Sequence, residues 1–183
     1  VSEKARELIP NLSELVVCHL GNGSSITAVK DGKSIETSMG FSPLDGIIMG
    51  TRSGELDPEI VIHLLRENKF SLKELDHLLN KQSGLKAISG ISVDLRDLKE
   101  AAESGNKRAQ LALKMLAHRI ALFIGSYMAI LQGLEAIVFT GGVGENAYWV
   151  REPVLKMLKF AGVEIDWQKN KEDAFELSTK NSR

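Results

Sequence analysis

The stretch LVVCHLGNGSSITAV, residues 15–29, decides the fold. Leu15, Val16 and Val17 form an apolar run that leads into His19-Leu20-Gly21-Asn22-Gly23, and alternation resumes from Ser25 to Val29. The pattern predicts strand, tight turn, strand. Asn22-Gly23 between two β-rich runs is the strongest short-range hairpin signal, because both residues tolerate positive φ. Two uses of the turn stay open. It sets the register of an ordinary hairpin, or its uncovered backbone N–H groups form a concavity for an anion such as a phosphate.

Lys plus Arg (23) nearly balance Asp plus Glu (24), which leaves no basic field for nucleic acid and no acidic tail. With 183 residues, 43% hydrophobic and 26% charged, the chain fits a single globular domain over 1–183. One cysteine, Cys18, excludes an internal disulfide and points to a reducing, cytoplasmic setting. Its place on the opening strand predicts a small buried hydrophobe. The longest apolar run, 120–131, is broken by Gly125, Ser126 and Tyr127 and is too short to span a bilayer. The opening VSEKARELIP has no cleavable signal pattern and no Met, which suggests a piece of something longer.

Outward from the first hairpin, 2–9 reads as a short helix stopped by Pro10. Lys30-Asp31-Gly32-Lys33 turns the chain into a third strand, 34–38, completing an antiparallel meander. Residues 39–58 hold Gly40, Gly46, Gly50 and Gly54 without periodicity and are expected as a long loop. Asp57-Pro58-Glu59 starts a helix with Ile60, Val61, Leu64 and Leu65 on its apolar face, and Ser71-Leu72-Lys73-Glu74 is a capping box for another, to about Asn80. Residues 83–91 read as irregular and 95–103 as a helix. Asn106 caps the longest helix, 107–132, apolar on more than one face and expected to be largely buried. Residues 136–140 have the character of a strand buried on both faces of a mixed sheet. A Gly-rich loop, 141–146, follows. Glu152-Pro153 then places a helix from about there to Phe160, and 163–165 is a last short strand.

Three groups of residues carry possible chemistry. Residues 141–146, after a strand and before a helix, suit either a ligand or a tight crossing. The dinucleotide fingerprint is not met, because Gly142-Val143-Gly144-Glu145-Asn146-Ala147 lacks the third glycine and opens no further βαβ unit. Arg52, among Gly50, Thr51, Ser53 and Gly54, is either a solvated loop residue or a planar fork of donors for phosphate oxygens. Asp94 is either a helix N-cap, the reading its spacing favours, or a ligand contact with Arg96. His63, His77 and His118 have no partners at metal spacing, and Ser24, Ser25 and Thr27 form no G-x-S-x-G elbow.

HLGNGSS (19–25), MGTRSGELDP (49–58), SVDLRDL (92–98) and FTGGVGEN (139–146) resemble the successive motifs of acetate kinases, in that family's order and over essentially the whole chain. Propionate and butyrate kinases share much of the pattern. The resemblance implies an α/β, ribonuclease-H-like domain of the actin, sugar kinase and heat-shock ATPase superfamily, with a mixed sheet flanked by helices. It implies reversible phosphoryl transfer between ATP and acetate, giving acetyl phosphate and ADP, with Mg²⁺. By carry-over, His19, Leu20, Gly21, Asn22 and Gly23 are the phosphate loop, and Asp94, Leu95 and Arg96 contact the nucleoside. Gly142, Val143, Gly144, Glu145 and Asn146 hold the adenosine side, and Arg52 is the transition-state arginine.

Family members also carry an early Asn-containing Gly/Ser motif, an acyl-site arginine, a catalytic aspartate, a His-Gly-Thr-Ser-His motif and a late Pro-Thr-Asn-Glu-Glu motif whose glutamate helps hold magnesium; none is present here. Leu95 stands where Phe or Met is common, and Gly141 where Ala is. The chain is therefore expected to be most of the C-terminal, nucleotide-binding domain, without the N-terminal domain and the extreme C-terminus. Its metal ligands are expected outside it, and no turnover by itself. A homodimer is expected, with no nucleic-acid or membrane partner. The alternatives are a non-catalytic nucleotide-binding or interaction domain of the same superfamily, and an unrelated domain whose glycines serve turns only.

Overall fold

In the computed structural model, which describes residues 1–182, the elements run α1 (Ser2–Leu8), β1 (Glu14–His19), β2 (Ser25–Lys30), β3 (Lys33–Thr37), α2 (Pro58–Arg66), α3 (Leu72–Lys81), α4 (Gly84–Ser89), α5 (Leu95–Glu103), α6 (Lys107–Leu131), β4 (Ala136–Thr140), α7 (Gly141–Asn146), α8 (Tyr148–Met157) and α9 (Trp167–Lys171). They group into two compact units. One is Val1–Ser38 with the chain from Ala117 onward; the other is Met39–Leu116.

The first unit is built on a mixed sheet of order β3-β2-β1-β4. β1, β2 and β3 form the antiparallel meander, and β4 runs parallel to β1. Period-two alternation gives each face its own apolar set. Leu15 and Val29 pack with Leu12, Ala5, Val17, Ala136 and Val138 on one face. Val16, Cys18, Ile26 and Ala28 point to the other, all at 0% exposure. Burial there pushes the Cys18 thiol pKa up, so the residue is an inert hydrophobe. β3 is exposed throughout, and its Lys33 and Glu36 protect a free sheet edge.

The tight turn expected at Asn22-Gly23 is not formed. His19 pairs with Ser25, so the connection is the longer loop of Leu20, Gly21, Asn22, Gly23 and Ser24, none at positive φ. The cause is β4: the Leu20 N–H donates to the Thr140 carbonyl at 2.8 Å, which holds β1 straight past the point where β2 begins. The left-handed turn occurs at Asp31 (φ 51°) and Gly32 (φ 78°) instead.

Other expectations are corrected in this unit. β4 is half-buried along its length rather than buried on both faces, because the strand order leaves it at an edge. Residues 141–146 form the short helix α7, not a loop. α8 begins at Tyr148, so Pro153 lies inside it; buried Val150, Arg151, Val154 and Leu155 provide packing that outweighs the missing N–H. Gly162 (φ 85°) closes the 3₁₀ turn Lys159–Ala161 that follows. The strand expected at 163–165 is reduced to a single bridge, Ile165 to Ser178.

The second unit is mostly capped helices. Asp57 accepts from Glu59 N at the start of α2, and Ser71 with Glu74 forms the capping box of α3. Asp94 caps α5, and Asn106 Oδ1 accepts from Arg108 N and Ala109 N at the start of α6. Residues 83–91, expected as irregular, contain α4, ended by Gly90 at φ 70°. The apolar side chains of α2 are not buried, with Ile60 and Ile62 each 46% exposed. α6 begins in this unit and from Ala117 belongs to the first; along it Ile120, Ile124, Tyr127 and Leu131 are buried while Leu111, Met115, Leu122 and Ile130 are exposed. By length and composition α6 as a whole is apolar enough to cross a membrane, and its one-sided burial is that of a helix on the flank of a folded core.

Candidate functional site

Two of the motifs singled out in the sequence meet at one end of the sheet. Parallel pairing sets the C-terminal residues of β1 and β4, His19 and Thr140, side by side. The Leu20 carbonyl then accepts from Val143 N at 3.0 Å and Gly144 N at 3.2 Å. A Cβ on Gly141, at φ +79°, would stand 2.6 Å from Leu20 O and 3.1 Å from His19 Cε1. Gly141 is therefore required by the crossing itself. Gly144 is buried, with Phe139 C 3.4 Å and Cys18 O 3.5 Å from its Cβ position.

Gly23 and Gly142 are different. Neither has a positive φ, and nothing lies within 4 Å of a Cβ built on either. Local folding demands glycine at neither position. What they leave is bare backbone on the 20–24 loop and at the start of α7 beside it. Ser24 Oγ bridges Gly21 N and Gly21 O, each at 3.1 Å, and so closes the first loop on itself. His19 and Asn22 are exposed on it.

The N-terminus of α7 does not offer an anion hole. Val143 N and Gly144 N are taken by Leu20 O, and Gly141 N donates to Glu145 Oε1 at 3.0 Å. Glu145 also accepts from Thr140 Oγ1, and Asn146 Nδ2 donates to Gly142 O at 3.0 Å. The side chains of Glu145 and Asn146 are thus engaged within α7. The accessible chemistry on this side is the backbone around Gly142.

Arg151 is a residue that the sequence reading missed. It is 2% exposed. Nε donates to Asn170 Oδ1, Nη1 to the carbonyls of Gly144 and Glu145, and Nη2 to the Asn170 carbonyl and Asp173 Oδ1. All five guanidinium donors are used. The available signal was an arginine among Val150, Val154 and Leu155 on one helix face.

In the second unit, Arg52 is half-buried and its Nη1 donates to Met49 Sδ at 3.5 Å, a weak bond and the sole partner for its guanidinium among the described residues. Here the glycines do have folding reasons. A Cβ on Gly54, at φ +72°, would lie 2.8 Å from Ile48 N, and one on Gly50 would lie 3.3 Å from Val93 Cβ.

Asp94 is the N-cap its spacing favours: Oδ1 accepts from Arg96 N at 2.8 Å. Arg96 folds back on it, with Nε 3.0 Å from Oδ1 and Nη2 2.6 Å from Oδ2. The Arg96 guanidinium, helped by its backbone N–H, holds the Asp94 carboxyl down at about 2. Leu95 is half-buried between them. Among the described residues no three His, Cys, Asp or Glu side chains gather as a metal cage.

The description of the Acetokinase family matches residues 1–183. The acetate kinase of Treponema denticola is 51% identical over 174 residues, 93% of this chain and 44% of its own length. That of Dictyoglomus thermophilum is 50% identical over 188 residues, 100% of this chain and 47% of its own. Among solved structures, a propionate kinase from Francisella tularensis superposes with a TM-score of 0.94 at 46% identity, covering 99% of this chain and 47% of that one. The acetate kinase of Porphyromonas gingivalis gives 0.93 at 37% identity with the same coverage. The chain spans about half the length of the curated relatives it matches. With its mixed α/β sheet and its motifs in order, the chain belongs to the acetokinase family.

Proposed function

We propose that this chain is the nucleotide-binding part of a kinase that transfers phosphate reversibly between ATP and a short carboxylate, acetate in the first instance. A carboxylate oxygen attacks the γ-phosphorus as the bond to the departing ADP oxygen breaks. Charge builds on the equatorial oxygens, and stabilisation comes from alignment and fixed positive charge rather than covalent chemistry. The bare backbone of the 19–23 loop receives phosphate oxygens, and Gly142 lets the adenosine side approach α7 closely. Asp94, Leu95 and Arg96 contact the nucleoside. Arg52, with a charged head that has little else to bind, stabilises the transferring group, a role worth about 10³-fold or more for such an arginine.

The observation that carries this reading is the pair Gly23 and Gly142, glycines without a local folding reason, one on the 20–24 loop and one at the start of the adjoining α7. Mg²⁺, if bound, would neutralise phosphate charge, and this reading expects its ligands outside this chain. The catalytic aspartate and acyl-site arginine that the resemblance implies find no matching motif in these 183 residues, which by this reading do not turn over alone. The exposed apolar residues Leu111, Met115, Leu122 and Ile130, spaced to share one side of α6, support a homodimer. The neighbour described as a propionate kinase favours a second reading on one point, a longer acid than acetate.

The test is calorimetric titration of the full-length protein with ADP. Gly23→Ala weakens ADP about 10-fold or more, because a methyl group intrudes where a phosphate approaches, and leaves the melting temperature unchanged. ADP affinity equal to wild type removes the reading.

A further inference from the structure

Arg52 has a weakly held head but a tightly held backbone, and what holds the backbone is the start of α4. A Cβ on Gly84, at φ +69°, would fall 2.2 Å from Met49 O, 2.8 Å from Arg52 O and 2.9 Å from Arg52 N. All three are backbone atoms of the Arg52 loop, which cannot rotate away as a side chain does. Around this contact the loop's carbonyls accept in sequence: Met49 O from Leu85 N at 2.9 Å, Gly50 O from Lys86 N at 2.9 Å, and Thr51 O from Ser83 N at 3.0 Å. Thr51 Oγ1 donates to Asn80 O at 2.9 Å, and Ser53 N donates to Leu79 O at 3.1 Å. The residues on either side of Arg52 are thereby anchored. Its side chain keeps one weak partner.

We propose that Gly84 is a positioning residue for Arg52: the missing Cβ lets the Arg52 peptide lie directly on the start of α4, fixing where the guanidinium projects. The inference rests on the reading of Arg52 as the arginine that meets the transferring phosphate. Any side chain at position 84 pushes the loop outward, and misplacement by about 1 Å costs on the order of 10²-fold in rate.

The experiment measures acetyl phosphate formation by the full-length protein with Gly84→Ala, Arg52→Ala and the double variant. Expected is a fall in kcat of about 10²-fold for Gly84→Ala with the KM for ATP nearly unchanged, and almost no further loss when it is added to Arg52→Ala. Equal losses in both backgrounds, or an unchanged kcat, overturn the inference while Arg52→Ala alone reports on the parent reading. Should Arg52→Ala leave kcat at the wild-type value, that reading falls and takes the inference with it. If Gly84→Ala does not fold, Lys86→Pro deletes the N–H that donates to Gly50 O, in the first turn of α4, where losing an N–H breaks no bond inside the helix. It is expected to lower kcat about 5-fold in the presence of Arg52 and not in its absence, and the same loss in both backgrounds refutes the idea.

Discussion

Replacing Arg151 by Met removes a guanidinium that is 2% exposed while keeping most of its volume. Left behind are the carbonyls of Gly144, Glu145 and Asn170 and the amide oxygen of Asn170, all without their donor. Each buried polar group left unsatisfied costs about 1–3 kcal/mol, but the groups share one cation and relax together, so simple summation overshoots. Removing one partner of a buried pair costs about 3–5 kcal/mol. The Asp173 side chain is 35% exposed and rehydrates, which argues for the lower half of that range, about 3 kcal/mol. Against a typical stability of about 5–15 kcal/mol, this is a large fraction.

The chain's two tryptophans, Trp149 and Trp167, stand on α8 and at the start of α9, the elements that Arg151 joins. Urea unfolding followed by their fluorescence therefore reports the local transition. Arg151→Met is expected to lower the midpoint by about 1–3 M, taking a slope of about 1–3 kcal/mol per molar. Asp173→Asn, which keeps an acceptor and removes only a half-exposed charge, is expected to cost under about 1 kcal/mol. A midpoint for Arg151→Met within about 0.3 M of wild type would refute the assignment of this arginine as the link between α7 and α9.

Two further expectations follow from the caps and loops. The Asp94 carboxyl titrates at about 2 in the folded state, below its ordinary 3.8, because of Arg96. Its stabilising contribution is complete above about pH 4 and disappears as pH falls through about 2, so urea midpoints measured between these values drop less steeply in Asp94→Asn than in wild type; parallel slopes contradict this. Ser24→Ala deletes both bonds that close the 19–24 loop on Gly21 and is expected to cost about 1–2 kcal/mol, read as a melting temperature lower by several degrees. An unchanged melt would mean that the loop is held by β1 and β4 alone.

The features legible in the sequence are those whose interactions close within a few residues. Asp57, Ser71 with Glu74, Asp94 and Asn106 cap the helices that their spacing announces, because a cap needs only a side chain and an N–H two or three positions on. Asp31-Gly32 makes its turn for the same reason, since positive φ is a property of the residues themselves. The family motifs, too, were readable in order, and with them the family.

Tertiary structure decided what depends on partners far along the chain. The Asn22-Gly23 signal was as strong as that of Asp31-Gly32, yet β4, arriving more than a hundred residues later, draws Leu20 into its ladder and lengthens the loop. α4 exists where the pattern was irregular because loop carbonyls from 49–51 satisfy its first N–H groups. Only coordinates separate the glycines that the fold requires, Gly84 and Gly141, from those it does not, Gly23 and Gly142. That difference is set by what stands within 4 Å of each Cβ position, and the letter G is the same in every case.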